Sequence, residues 1–228
     1  MEVIDFSAKK GKPPIKHHPM LPNSIRGIII GPSGSGKTQL LLTLTMKYTN
    51  WDKLYLIAPS ADDQDCYAVL KDFNSAAAED LGFDPVEFIY DVTECPHVDD
   101  LDVSLNNMIV FDDVMLDNQK GPALLFSRGR HKHADMFYLT QRYTQIPKVI
   151  RDNCNFICVF NGVDTHTLRN IWQTWCSDMD WNKFKNFFSH AQCTPHGFTT
   201  MNPHDPATRH RTGLDRTPGR QPTRSAHP

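Results

Sequence analysis

The chain has 228 residues, 39% hydrophobic and 22% charged, an ordinary globular balance that fits one α/β domain with a sizeable core. The net charge is −2; no apolar run approaches the ~20 residues that span a bilayer, which speaks against a membrane-spanning helix, and the opening Met1–Phe6 has no apolar signal core, so a soluble intracellular protein is expected. Six scattered cysteines (Cys66, Cys95, Cys154, Cys158, Cys176, Cys193) read as reduced thiols rather than a disulfide framework.

In chain order, residues 1–24, with Lys9-Lys10-Gly11-Lys12-Pro13-Pro14, read as a mobile basic arm, and the domain is expected over 25–213. Arg26–Ile30 is a β-branched strand. Directly after it comes Gly31-Pro32-Ser33-Gly34-Ser35-Gly36-Lys37-Thr38, which fits G-x-x-x-x-G-K-[ST], the phosphate-binding loop of P-loop nucleoside triphosphatases. Gln39–Met46 then reads as a helix, so the motif has the strand–loop–helix setting its chemistry requires. The glycines let successive backbone N–H groups turn inward onto phosphate oxygens, Lys37 would reach the β- and γ-phosphates, and Thr38 would supply a hydroxyl to Mg²⁺.

Lys53–Ala58 reads as a second strand, Asp62–Phe73 as a helix, Ala76–Ala78 as another, Glu87–Tyr90 as a short strand, and Glu94–Leu105 as helix and loop. Residues 60–102 are strongly acidic, with thirteen acids and one lysine. Asn107–Phe111 is a central parallel strand, and Asp112 and Asp113 emerge at its C-terminal end, where open α/β sheets place ligands. Asp112 fits the acid that organises Mg²⁺. Asp113 fits the acid that orients the attacking water, although its side chain is shorter than the glutamate more common there.

Gln119–Ser127 reads as a helix, Arg128–His133 as a basic loop, and Met136–Thr140 as a strand with Gln141 at its tip. A helix over Ile146–Arg151 and a strand over Asn155–Phe160 follow, with Cys154 and Cys158 on one strand face. Helices are expected over Asp164–Trp175 and Asp180–Phe188, a last strand over Gly197–Met201, and a disordered basic tail over 214–228. The three-residue spacing of His190, Cys193 and His196, with Cys176 upstream, raises a zinc site, against which stands the missing C-x-x-C pair. Residues 119–151 hold seven Lys or Arg against one Asp, a candidate polyanion-facing surface or a merely solvated face; Lys132, Arg142, Lys148 and Arg151 are its candidates for contact with a DNA backbone.

The 74 residues between Lys37 and Asp112 leave room for a strand–helix unit between the two motif strands. Neither Asp-x-x-Gly after Asp112 nor a guanine-reading Asn-Lys-x-Asp is present, which turns the reading from small GTPases to the additional-strand class: a three-layer α/β P-loop NTPase, RecA/FtsK-like, with a mostly parallel central sheet.

Taken together, Gly31–Thr38, Ile109–Asp113, Arg128-Gly129-Arg130-His131, Tyr138–Gln141 and Ile146–Asn153 resemble the poxvirus-type genome-packaging ATPases, the viral branch of the FtsK–HerA superfamily. The resemblance covers roughly residues 25–213. It implies an ATP- and Mg²⁺-dependent motor, working as a homo-oligomeric ring that moves double-stranded DNA into a preformed viral capsid. The implied place of action is the assembly site of an infected host cell, nucleus or cytoplasm, or the virion itself. It also implies that Gln141 is a strand-tip sensor and that Arg128 or Arg130 is an arginine finger reaching a neighbour's ATP. The alternatives are a DNA helicase or recombination ATPase of the same class, and a capsid assembly protein switched by nucleotide.

Overall fold

The computed structural model describes residues 16–191, 193–203, 205 and 209–214. In chain order its elements are β1 (Arg26–Ile30), α1 (Lys37–Thr43), β2 (Lys53–Ile57), α2 (Ala68–Leu81), β3 (Val86–Ile89), β4 (Asn107–Asp112) and α3 (Lys120–Arg128). These are followed by β5 (Ala134–Thr140), α4 (Lys148–Asn153), β6 (Phe156–Phe160), α5 (Thr165–Trp175), α6 (Trp181–Ala191), β7 (Phe198–Met201) and β8 (His210–Thr212). The strands form one sheet in the order β3-β2-β4-β5-β1-β6-β7-β8. The first six run parallel; β7 and β8 add an antiparallel edge.

Strands buried on both faces read as unbroken apolar runs, and β4, β5 and β6 have every residue buried. Alternate residues feed two cores. Ile28, Phe111, Met136 and Tyr138 pack with Phe126 of α3, Ile150 of α4, Ile171 of α5 and Phe184 of α6. On the other face Ile29, Val110 and Leu139 pack with Leu40 and Leu41 of α1 and Leu70 of α2. This is the expected three-layer P-loop architecture. Each fully buried Leu, Ile or Phe contributes about 1.5–3 kcal/mol, so the central strands are the most stable part of the scaffold on which the loops stand.

Several local expectations need correction. The domain begins before Ile25. Lys16 pairs with Asp135 Oδ2 at 2.5 Å, and Met20 and Leu21 are buried. His17 Nδ1 accepts a hydrogen bond from the Asn50 amide at 3.1 Å, so its Nε2 carries the proton and donates to Asp135 Oδ2 at 3.0 Å. The Ile25 amide donates to Asp135 Oδ1 at 2.7 Å. Residues 16–25 are thus strapped to the base of β5 by one buried carboxylate. The rest of the expected arm, 1–15, and the expected tail beyond Leu214 lie outside the described residues.

The two short helices expected between 62 and 78 are one helix, α2, preceded by two single turns at Ala61–Asp63 and Asp65–Tyr67. Extended backbone at Gln64 separates the turns, Ala76–Ala78 continue the helix, and Gly82, at φ 75, ends it. Over 94–105 the expected helix is absent: Asp91 and Asp102 hold tight turns through Thr93 and Ser104, and Val98 and Leu101 anchor the segment in the core. Cys154 follows the end of α4 rather than sharing a face of β6 with Cys158.

Candidate nucleotide site

The chain leaves β1 at Gly31, whose amide donates to Thr140 O at 3.2 Å and ties the loop to the neighbouring strand β5. A Cβ at Gly31 would lie 2.6 Å from Phe160 Cβ and Ser35 Oγ, so only glycine fits this close approach. Gly34 (φ 71) and Gly36 (φ 102) take left-handed conformations that curl the loop. The Lys37 ammonium folds back across the loop and donates to Gly31 O and Pro32 O, each at 3.0 Å. Burial lowers its pKa, and the carboxylates of Asp112 and Asp113 oppose that shift. Ser35 Oγ is buried with no hydrogen-bond partner. A buried orphan acceptor-donor inside a glycine cradle fits a loop built around a polar ligand.

β4 delivers the two acids differently. Asp112, 5% exposed, ends the strand, and its Oδ2 accepts from Thr38 Oγ1 at 3.4 Å. Burial raises its pKa, and a hydrogen bond from Tyr67 together with the charge of Lys37 pull it back toward the ionised form. A hydroxyl and a carboxyl group side by side are hard oxygen donors of the kind Mg²⁺ takes, so Thr38 and Asp112 fit the expected metal. Asp113 then turns into the left-handed region (φ 57) while Val114 dives into the core. That turn leaves the Asp113 carboxylate exposed at the mouth of the cleft.

Lys37, Thr38, Asp112, Asp113 and Gln141 line one cleft of about 200 Å³ at the C-terminal ends of β1, β4 and β5. Five residues from three distant stretches of sequence therefore share one site. A second cleft of about 380 Å³ opens beside it, between Gln141, Arg142 and the Met115–Leu116 loop, where Leu116 is 93% exposed.

Arg128 and Arg130 do not join this site. They lie at the end of α3 and in the turn that enters β5, a strand of seven residues, and so roughly 20 Å from Gln141 at the strand's other end. Arg130 faces Arg26, whose pKa is lowered by burial first and by the charge of Arg130 second. Among the described residues, none of these three arginines forms a salt bridge. Nor do the candidate DNA contacts share one surface. Lys132 lies at the arginine end near Asp99, at 3.8 Å; Lys148 pairs with Asp152. Arg151 donates to Ile146 O and lies over the Tyr143 ring, while Arg142 is exposed beside the second cleft.

The zinc reading is not supported by the placement of its residues. Cys176 is buried against Met201, Cys193 is exposed, and among the described residues no group of three metal-ligating side chains is gathered. His196 instead packs on Gly36, and its Nδ1 donates to Ser35 O at 3.0 Å. Sequence reading also missed Tyr67, whose hydroxyl donates to Asp112 Oδ2 at 2.6 Å, and Gln64, which lines the cleft. Nothing local to either residue signals a partner so far along the chain.

Residues 15–180 match the family described as Poxvirus A32 protein. The chain belongs to that family. The match runs through all six parallel strands and contains the P-loop, Asp112, Asp113, Gln141 and both arginines. No curated protein matches the chain. Among solved structures, this A32-family chain is similar to the genome packaging NTPase B204 from Sulfolobus turreted icosahedral virus 2 in complex with AMP, at 15% identity and TM-score 0.53, covering 78% of this chain and 92% of that one. The same protein in complex with ATP-gammaS gives 14% identity and TM-score 0.52, with 78% and 92% covered. B204, the DNA-packaging ATPase from Sulfolobus turreted icosahedral virus, gives 16%, 0.50, and 77% and 91%. At these identities the likeness is one of fold. Among the described residues of this A32-family member no helix is long and apolar enough to cross a membrane.

Proposed function

We propose that this A32-family chain is an ATPase that uses Mg²⁺·ATP to drive double-stranded DNA into a preformed viral capsid, acting as a homo-oligomeric ring at the assembly site of an infected cell. The observation that carries the reading is the convergence of Lys37, Thr38, Asp112, Asp113 and Gln141 on one cleft. B204, the fold neighbour, is a genome packaging NTPase with nucleotide complexes.

The loop amides of Ser33–Gly36 and the ammonium of Lys37 bind the phosphates. Thr38 and Asp112 would hold Mg²⁺, which would offset the negative charge of the phosphates. Asp113 orients and polarises the attacking water, and Gln141 holds that water or the γ-phosphate from the strand tip. Translocation needs contact with the DNA backbone alone, so binding is expected to be independent of sequence and to weaken steeply with salt. The test is the ATPase rate with and without double-stranded DNA. Stimulation by duplex, with no strand separation on tailed duplexes, is the expected result. A rate indifferent to DNA, together with tight capsid binding, would instead favour a nucleotide-switched assembly protein.

Arg128 and Arg130 are far from their own nucleotide and among the described residues carry no salt bridge, which suits a finger supplied to the neighbouring subunit, with Arg130 as the finger and Arg128 the alternative. Such a finger is worth about 10³–10⁵ in rate. Mixing Arg130→Ala with Lys37→Ala chains, each inactive alone, is expected to restore part of the activity, because a mixed ring pairs an intact loop with an intact arginine. Co-assembly without recovery would place the arginines in cis or on DNA.

A further inference from the structure

We propose that Tyr67 is a positioning residue for the magnesium-holding carboxylate of Asp112, an inference that rests on the Mg²⁺·ATP reading of the cleft. The connection that leaves β2 crosses the C-terminal end of β4 as two single turns, and the second turn, Asp65–Tyr67, buries the Tyr67 ring completely. The ring lies in the same apolar core as Leu70, Val110 and Leu139. Its hydroxyl reaches out of that core to Asp112 Oδ2 at 2.6 Å.

This is not the behaviour of the other fully buried tyrosines. Tyr138 donates to the neutral amide of Gln119, and Tyr143 accepts from the Trp175 indole. Tyr67 alone of the three ends on a carboxylate that lines the nucleotide cleft. The oxygen it holds is also the one that Thr38 Oγ1 approaches at 3.4 Å. A carboxylate held through one oxygen by a rigid phenol is fixed in rotation, so its two oxygens keep a constant relation to the Thr38 hydroxyl beside them. Without the phenol the carboxylate turns about its χ2 bond and presents its oxygens less often in that relation. Outer hydrogen-bond partners of metal ligands typically change affinity by ~10–100-fold when removed.

The same turn carries Gln64, whose carbonyl accepts from the Tyr67 amide at 3.1 Å and whose side chain lines the cleft. Placement of Tyr67 is therefore tied to the wall of the nucleotide site, and not only to the core.

The test compares wild type with Tyr67→Phe, which keeps the ring and removes the hydroxyl alone. A fluorescent non-hydrolysable ATP analogue is bound across a titration of Mg²⁺, and ATP turnover is followed over the same range. The Mg²⁺ concentration for half-maximal analogue binding, and for half-maximal turnover, is expected to rise roughly tenfold, with most of kcat recovered at saturating Mg²⁺. Thermal melting without Mg²⁺ separates this from a folding defect. In an Asp112→Asn background the phenylalanine substitution is expected to add nothing to the Mg²⁺ requirement. An unchanged Mg²⁺ midpoint, or a loss of activity that saturating Mg²⁺ does not restore, overturns the positioning role. If wild type itself binds the analogue without Mg²⁺ dependence, the metal reading of the cleft fails first and the role of Tyr67 goes with it.

Discussion

Lys37→Ala is expected to lower ATP turnover by roughly 10²–10³-fold, the cost of removing one preorganised donor from a charge-stabilising site. The loss is expected in nucleotide affinity as well. Lys37 bridges Gly31 O and Pro32 O, so its ammonium is already held across the mouth of the loop. Burial lowers its pKa, and the two nearby carboxylates oppose that shift. Alanine removes the main side-chain charge and leaves the phosphates facing Asp112 and Asp113. Isothermal titration with ATP and a coupled turnover assay read both effects. Wild-type values for a folded variant would remove the phosphate reading of the loop.

Asp113→Asn is expected to keep Mg²⁺ and ATP binding and to slow hydrolysis by about 10²–10⁴-fold, the usual contribution of a positioned general base. The amide is nearly isosteric and cannot accept a proton from water. Asp113 is exposed at the cleft mouth and lies outside the Thr38–Asp112 hydrogen bond, so its loss leaves the metal donors intact. Asp112→Asn is expected to act on the other quantity, raising the Mg²⁺ requirement of binding. Measured midpoints for Mg²⁺ and single-turnover rates for both variants separate the two roles. The reverse pattern would exchange them.

The sheet was legible because its central strands are buried on both faces. Met108–Phe111 and Phe156–Phe160 read as unbroken apolar runs, and both lie in strands of the parallel sheet. The nucleotide site was legible for a related reason. A glycine loop of fixed length and an acid pair at the end of an apolar run are local patterns, and the parallel topology brings such strand ends to one edge.

What stayed hidden is long-range. The strap from Lys16 and His17 to Asp135 joins residues 118–119 positions apart, and no local spacing announces it. Tyr67 reaches Asp112 across 45 positions. The misread region 62–78 failed locally instead. Aspartates at 62, 63 and 65 look like an acidic helix start, but extended backbone at Gln64 spends them on two turns. The basic stretch 119–151 misled in a third way. Its cations are neighbours in sequence, but β5 carries some of them to one end of the sheet and some to the other.

That separation makes β5 a mechanical element. Its seven residues are all buried between β4 and β1, and interiors packed at crystal-like density have little slack to absorb a displacement. One end carries Gln141 on the wall of the nucleotide cleft. The other carries the Arg130 turn, and just inside it Asp135 clamps the N-terminal strap. In the proposed ring, with Arg130 serving the neighbouring subunit, this one strand would join two consecutive ATP sites, so a displacement at the Gln141 end would be carried along its length to the arginine end rather than absorbed.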